Sequence, residues 1–105
     1  MSARAMSDVD PSTLHPEHGG RVLLELATKD AEGARYRVTL FTPEARFEGE
    51  ARVEAASGAA EVPPLEGAPS WLVGYVQPLL RQLWVGQKKA PGRWPRRVMR
   101  WRAPK

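Results

Sequence analysis

The chain contains no cysteine, which removes disulfides, thiolate metal sites and thiol nucleophiles together. No apolar run approaches the roughly 18 residues that a bilayer-spanning helix needs. Met1 to Asp10 lack the apolar core of a secretory signal, so the expected location is cytoplasmic. Histidine occurs only at His15 and His18, and Asp30 is the last aspartate, so no Ser/His/Asp arrangement can be assembled within the later strands and helix. With Glu17 nearby the two histidines could reach one metal in a helix, but Pro16 between them opposes that, and no third ligand is fixed by the fold. Glycines are not spaced for a phosphate loop: Gly19-Gly20, Gly33 and Gly58 each fit a turn. Glu48 and Glu50 fall on what should be the wet face of a strand, where neither carboxyl is set up for acid/base work. The expectation is therefore a protein with no catalytic residues, metal or cofactor.

The most informative absence is acid in the final third. Residues 67–105 hold 9 basic side chains and no acidic one, whereas residues 1–66 hold all 12 acidic side chains and 7 basic ones. The modest formal charge of +4 hides this split between −5 and +9, and such asymmetry points to an anionic partner.

What is present suffices for one small domain: 105 residues, 42% of them apolar, interrupted by 10 Pro and 9 Gly. Residues 1–20 carry turn chemistry and little to bury, and are expected to be a disordered tail, with a single domain over 21–105. Alternation then begins. Val22, Leu24 and Leu26 share one strand face; Tyr36, Val38 and Leu40 share another; Phe47, Gly49, Ala51 and Val53 oppose Arg46, Glu48, Glu50, Arg52 and Glu54. Lys29 to Gly33 and Thr42 to Glu44 read as the turns between them, with Gly33 free to take positive φ. Gly49 and Ala51 leave room for a bulky neighbour, expected to be aromatic side chains brought by a helix.

After a connector stiffened by Pro63-Pro64, Pro69 and Ser70 supply helix-start chemistry. Leu72, Tyr75, Val76, Leu79, Leu80 and Leu83 follow at helical spacing. Trp71 and Trp84 flank this stripe as packing residues, Gly86 is the expected stop, and Pro78 is expected to kink the helix. In the basic segment 88–105, Met99 and Trp101 alternate with Val98, Arg100 and Arg102, which offers a fourth strand for an open edge of the sheet. The expected fold class is α+β: a three-stranded antiparallel β-meander, with this fourth C-terminal strand as an addition, packed against one Pro-kinked amphipathic helix over about 69–86.

Three roles compete for the basic segment. In the first, Arg96 to Arg102 are absorbed by Glu25, Glu48, Glu50 or Glu54 on the sheet; the excess of 12 Arg over 4 Lys is then compositional. In the second, Arg93, Arg96, Arg97, Arg100 and Arg102 contact phosphates while Trp94 and Trp101 stack on bases, without sequence specificity. In the third, the segment or an open sheet edge docks an acidic protein partner or a second copy of the chain. Attachment to a membrane surface is disfavoured, because no amphipathic basic helix is present. The expectation is a non-enzymatic binding module with a protein-interaction or structural role, with nucleic-acid binding as the alternative.

Overall fold

The computed structural model describes residues 15–104. Strands β1 (Gly20–Asp30), β2 (Gly33–Phe41), β3 (Arg46–Glu54) and β4 (Ala60–Glu61) precede one helix, α1 (Ser70–Lys89), and a last strand, β5 (Arg97–Arg102). All pairings are antiparallel, and the strand order is β4-β3-β2-β1-β5. The α+β class follows, but the sheet has five strands rather than a meander of three. The additional short strand arises where the chain reverses after Glu54 and pairs Arg52 with Glu61 and Val53 with Ala60. It ends at once because Pro63, which would face Glu50 in that register, has no N–H to donate.

Register decides which side chains are buried together. Val22 opposes Leu40, Leu24 opposes Val38, and Leu26 opposes Tyr36. These residues join Ala51, Val53 and Val98 on the face that α1 covers with Leu72, Val76, Leu79, Leu80 and Leu83. Alternation along each strand places Arg35, Arg37, Glu48 and Glu50 on the opposite face. One irregularity between Leu26 and Thr28 shifts the register of β1. A bulge of one residue reverses side-chain parity. Lys29 thereby lies across from the buried Ala34, and its ammonium donates to the Gly92 carbonyl at 3.0 Å.

The tail expected over residues 1–20 lies outside the described residues as far as Leu14. From His15 onward the chain is packed, which corrects that expectation for its last six positions. His15 Nδ1 donates to the Thr42 carbonyl at 2.7 Å, its ring meets Phe41 edge-on, and Pro16 is buried. The first strand accordingly starts at Gly20 rather than Arg21.

Pro69 sits at the cap position with φ −62° and ψ 134°, and its carbonyl accepts from the N–H groups of Leu72 and Val73. The helix runs through Pro78 without interruption. Pro78 and Gly74 both lie on its exposed side, where the carbonyl that loses its partner can be hydrated. The Pro-kinked helix expected over about 69–86 is thus one continuous element, Ser70–Lys89. Gly86 does not stop the helix either: Lys88 and Lys89 form its last turn, where positive charge suits the dipole. The bulky neighbour expected over Gly49 is not aromatic; Leu65 and Pro63 of the connector occupy that space. Trp84 instead lies against Gly58, whose φ of +78° and missing side chain admit the indole, and its Nε1 donates to the Ala55 carbonyl at 2.9 Å.

Candidate functional site

The basic segment begins as a tether. Beyond α1 the chain reverses at Gly92, with φ +83°, and delivers Trp94 into the core, where it is 5% exposed. The indole meets the Tyr36 ring edge-on at 6.5 Å. The Tyr36 hydroxyl donates to the Pro95 carbonyl at 2.7 Å, and the Leu26 N–H donates to the Arg96 carbonyl at 2.8 Å. Trp94 is thus removed from the set of stacking candidates: a base could reach it only by opening the core.

Burial raises the Tyr36 phenol from 10.0 to about 12. A raised native pKa leaves stability intact below pH 10, since both states are then protonated. As pH climbs from 10 towards 12, the unfolded chain ionises first and stability falls, by at most about 2–3 kcal/mol. Denaturant unfolding between pH 9 and 12 should show this decline, and Tyr36→Phe should flatten it.

From Arg97 the chain pairs with β1 as an edge strand, Arg97 facing Glu25 and Arg102 facing Gly20. The bond to the Arg96 carbonyl sets the phase of this ladder. Alternate pairs in an antiparallel ladder exchange bonds, so Arg97, Met99 and Trp101 turn their N–H and C=O groups to the open side. Among the described residues the only group that meets them is the Arg100 guanidinium, which donates to the Met99 carbonyl at 2.8 Å.

Side chains alternate as well. Val98 enters the core, while Arg100 and Arg102 follow it on the helix side, opposite Val22 and Gly20. Arg102 lies over the Tyr75 ring at 4.5 Å. Arg97, Met99 and Trp101 take the other face, Met99 38% and Trp101 46% exposed. Trp101 is fixed along one side, its Nε1 donating to the His18 carbonyl at 3.0 Å and the His18 ring meeting it edge-on.

Topology also settles the charge question. Among the described residues, ion pairs join Arg35 to Glu50, Arg37 and Arg46 to Glu48, and Arg52 to Glu32, all within the first part of the chain. β5 lies three strand spacings from β3, roughly 14 Å, beyond the screening length of about 10 Å at 0.1 M salt. Glu25 is adjacent in register, but among the described residues none of Arg93, Arg96, Arg97, Arg100 and Arg102 forms an ion pair. The expected neutralisation by Glu48, Glu50 and Glu54 does not occur, and all five guanidinium groups are exposed.

A separate open cleft of about 670 Å³ lies near β4, lined by Arg35, Glu50, Arg52, Glu61, Pro63 and Gln77. There Arg35 pairs with Glu50 and Arg52 with Glu32, so the cleft offers no cluster of like charge comparable to the β5 edge. Among the described residues there is no cluster of three metal-ligating side chains, and no helix is long and apolar enough to cross a membrane. Comparison with protein-family models, curated proteins and solved structures finds no match in any of the three.

Met99 was not among the candidates read from sequence, although its alternation with Arg100 was visible. Its importance depends on which edge of the sheet β5 occupies. The anchors Tyr36 and Lys29 left no sequence signal, since their partners are backbone carbonyls 59 and 63 residues away.

Proposed function

We propose that this protein is a binding module, acting without catalysis, whose β5 edge takes an acidic extended segment of a partner protein as an added strand. The observation that carries this reading is the coincidence, on one edge strand, of outward backbone groups and guanidinium groups that have no carboxylate partner among the described residues. Backbone bonds supply affinity in such strand addition, and side-chain complementarity supplies selection. The same charge disfavours a homodimer built by joining two β5 edges, because the arginines of both strands would gather along one seam.

Nucleic-acid binding is supported less well. Strand binding by stacking uses successive aromatic faces, and with Trp94 in the core only Trp101 is offered. The arginines still suit phosphate, so the two partners must be compared directly.

The test is a titration of the isotopically labelled chain with an acidic, strand-forming peptide and, separately, with oligo-uridylate, at low and high salt. Docking predicts shifted amide signals over Arg97–Arg102, slowed exchange of the Arg97 and Trp101 N–H groups, and affinity that weakens as salt rises. Reversing Arg97, Arg100 and Arg102 to Glu should lower peptide affinity at least about tenfold, given roughly 0.2–1 kcal/mol for each exposed pair lost and added repulsion. Binding of the oligonucleotide alone would favour the polyanion reading. Binding of neither would leave the arginines as protection against edge-to-edge association.

A further inference from the structure

Resting on β5 acting as a docking edge, we infer that the segment it accepts carries a defined alternation of acidic and apolar residues, read by the two chemically different faces of the strand. Residues directly opposite one another in a sheet share a face and place their Cβ atoms about 4.5–5.5 Å apart. An incoming strand therefore meets Arg100 and Arg102 with residues on the helix side, and Met99 and Trp101 with residues on the outer side.

The outer side is suited to apolar contact. Val85, Met99 and Trp101 are the large apolar residues exposed among the described ones, and two of the three lie next to each other on this face of β5. Met99 stands across from Leu23, which is 5% exposed although it lies on the face away from the helix. The helix side is cationic beyond Val98, and Arg102 lies along Tyr75 with its guanidinium exposed at the rim.

Antiparallel addition continues the pattern of the whole sheet and is the slightly more stable pairing. Read from the N-terminus of the incoming segment, its residues face Trp101 and Arg102 first and Arg97 last. The favoured order is acidic, apolar, acidic, apolar, apolar, acidic, set against Arg102, Trp101, Arg100, Met99, Val98 and Arg97 in turn. A register slip of one residue places carboxylates on Met99 and Trp101 and apolar groups on Arg100, so the alternation also selects register.

The test uses three capped hexapeptides of one composition and charge: Glu-Val-Glu-Val-Val-Glu as the matched order, Val-Val-Val-Glu-Glu-Glu as a blocked order, and Val-Glu-Val-Glu-Glu-Val as the inverted order. Affinity is followed by the Trp101 indole N–H and Met99 methyl signals of the full chain. The matched peptide should bind at least about tenfold more tightly than the other two. Met99→Gln should bring it down towards the blocked peptide, while leaving the weaker charge-driven binding of that peptide unchanged. Equal binding of all three overturns the alternation and leaves docking by charge intact. If none binds, docking at β5 is itself refuted.

Discussion

Trp94→Ala is expected to destabilise the protein by about 3–5 kcal/mol, the range for removing a buried aromatic ring from a packed core. The indole is nearly sealed from solvent, and its loss opens a void beside Tyr36. That void also undermines the hydroxyl bond to Pro95, which aligns the chain entering β5. A domain of this size has roughly 5–15 kcal/mol in total, so the variant should unfold at much lower denaturant. Trp101→Ala provides the contrast. It removes one hydrogen bond and a half-exposed ring, and should cost about 1 kcal/mol. Urea unfolding followed by far-ultraviolet circular dichroism measures both without relying on the mutated fluorophore. Equal costs would show that Trp94 is not a core residue.

Gly33→Ala should have the next largest effect, on the order of 3 kcal/mol. The β1–β2 hairpin is closed by Asp30, whose carboxylate accepts from the N–H groups of Glu32 at 2.8 Å and Gly33 at 3.1 Å. A Cβ at Gly33 would overlap the carbonyl oxygen of Val53 on the neighbouring strand. Val53 is fully buried, so relief requires β2 and β3 to separate at their pairing. Gly86→Ala is the control: nothing lies within 4 Å of the added methyl, and replacing a helical glycine should raise stability by about 0.5–1 kcal/mol. A cost at Gly33 no greater than the helix gain at Gly86 would mean that the hairpin tolerates the methyl by shifting.

Glycine at position 33 has two reasons, of which its sequence context shows one. A turn glycine is expected to supply positive φ, and Gly33 does, with φ 159°, where L side chains rarely sit. The other reason is that a neighbouring strand passes close to it, with the Val53 carbonyl where a Cβ would lie. Gly49 follows the same pattern, being legible as a site of close approach, while the group that approaches, Leu65, comes from a connector with no periodicity to read. Sequence shows where space is left more readily than it shows what fills it.

The candidate site divides in the same way. Arginine density, the absence of acid after Glu66 and the alternation through Met99 and Trp101 were all visible in the chain. Two similar Trp–Arg neighbourhoods, around Trp94 and around Trp101, nevertheless have opposite fates. The loop after α1 turns Trp94 into the core, whereas pairing with β1 leaves Trp101 on the outer face. Nothing local distinguishes them, because burial depends on contacts with residues such as Tyr36 and His18 that are remote in sequence.

By itself, then, the sequence determined the α+β class, the period-two strands and period-3.6 helix, and the division of charge, since these depend on intrinsic periodicity and composition. Tertiary structure alone decided the order β4-β3-β2-β1-β5. That order separates basic β5 from acidic β3 by two intervening strands and places it at the edge of the sheet, where no described strand pairs with its outward backbone groups. Charges act according to distance in space, and one crossover connection set that distance.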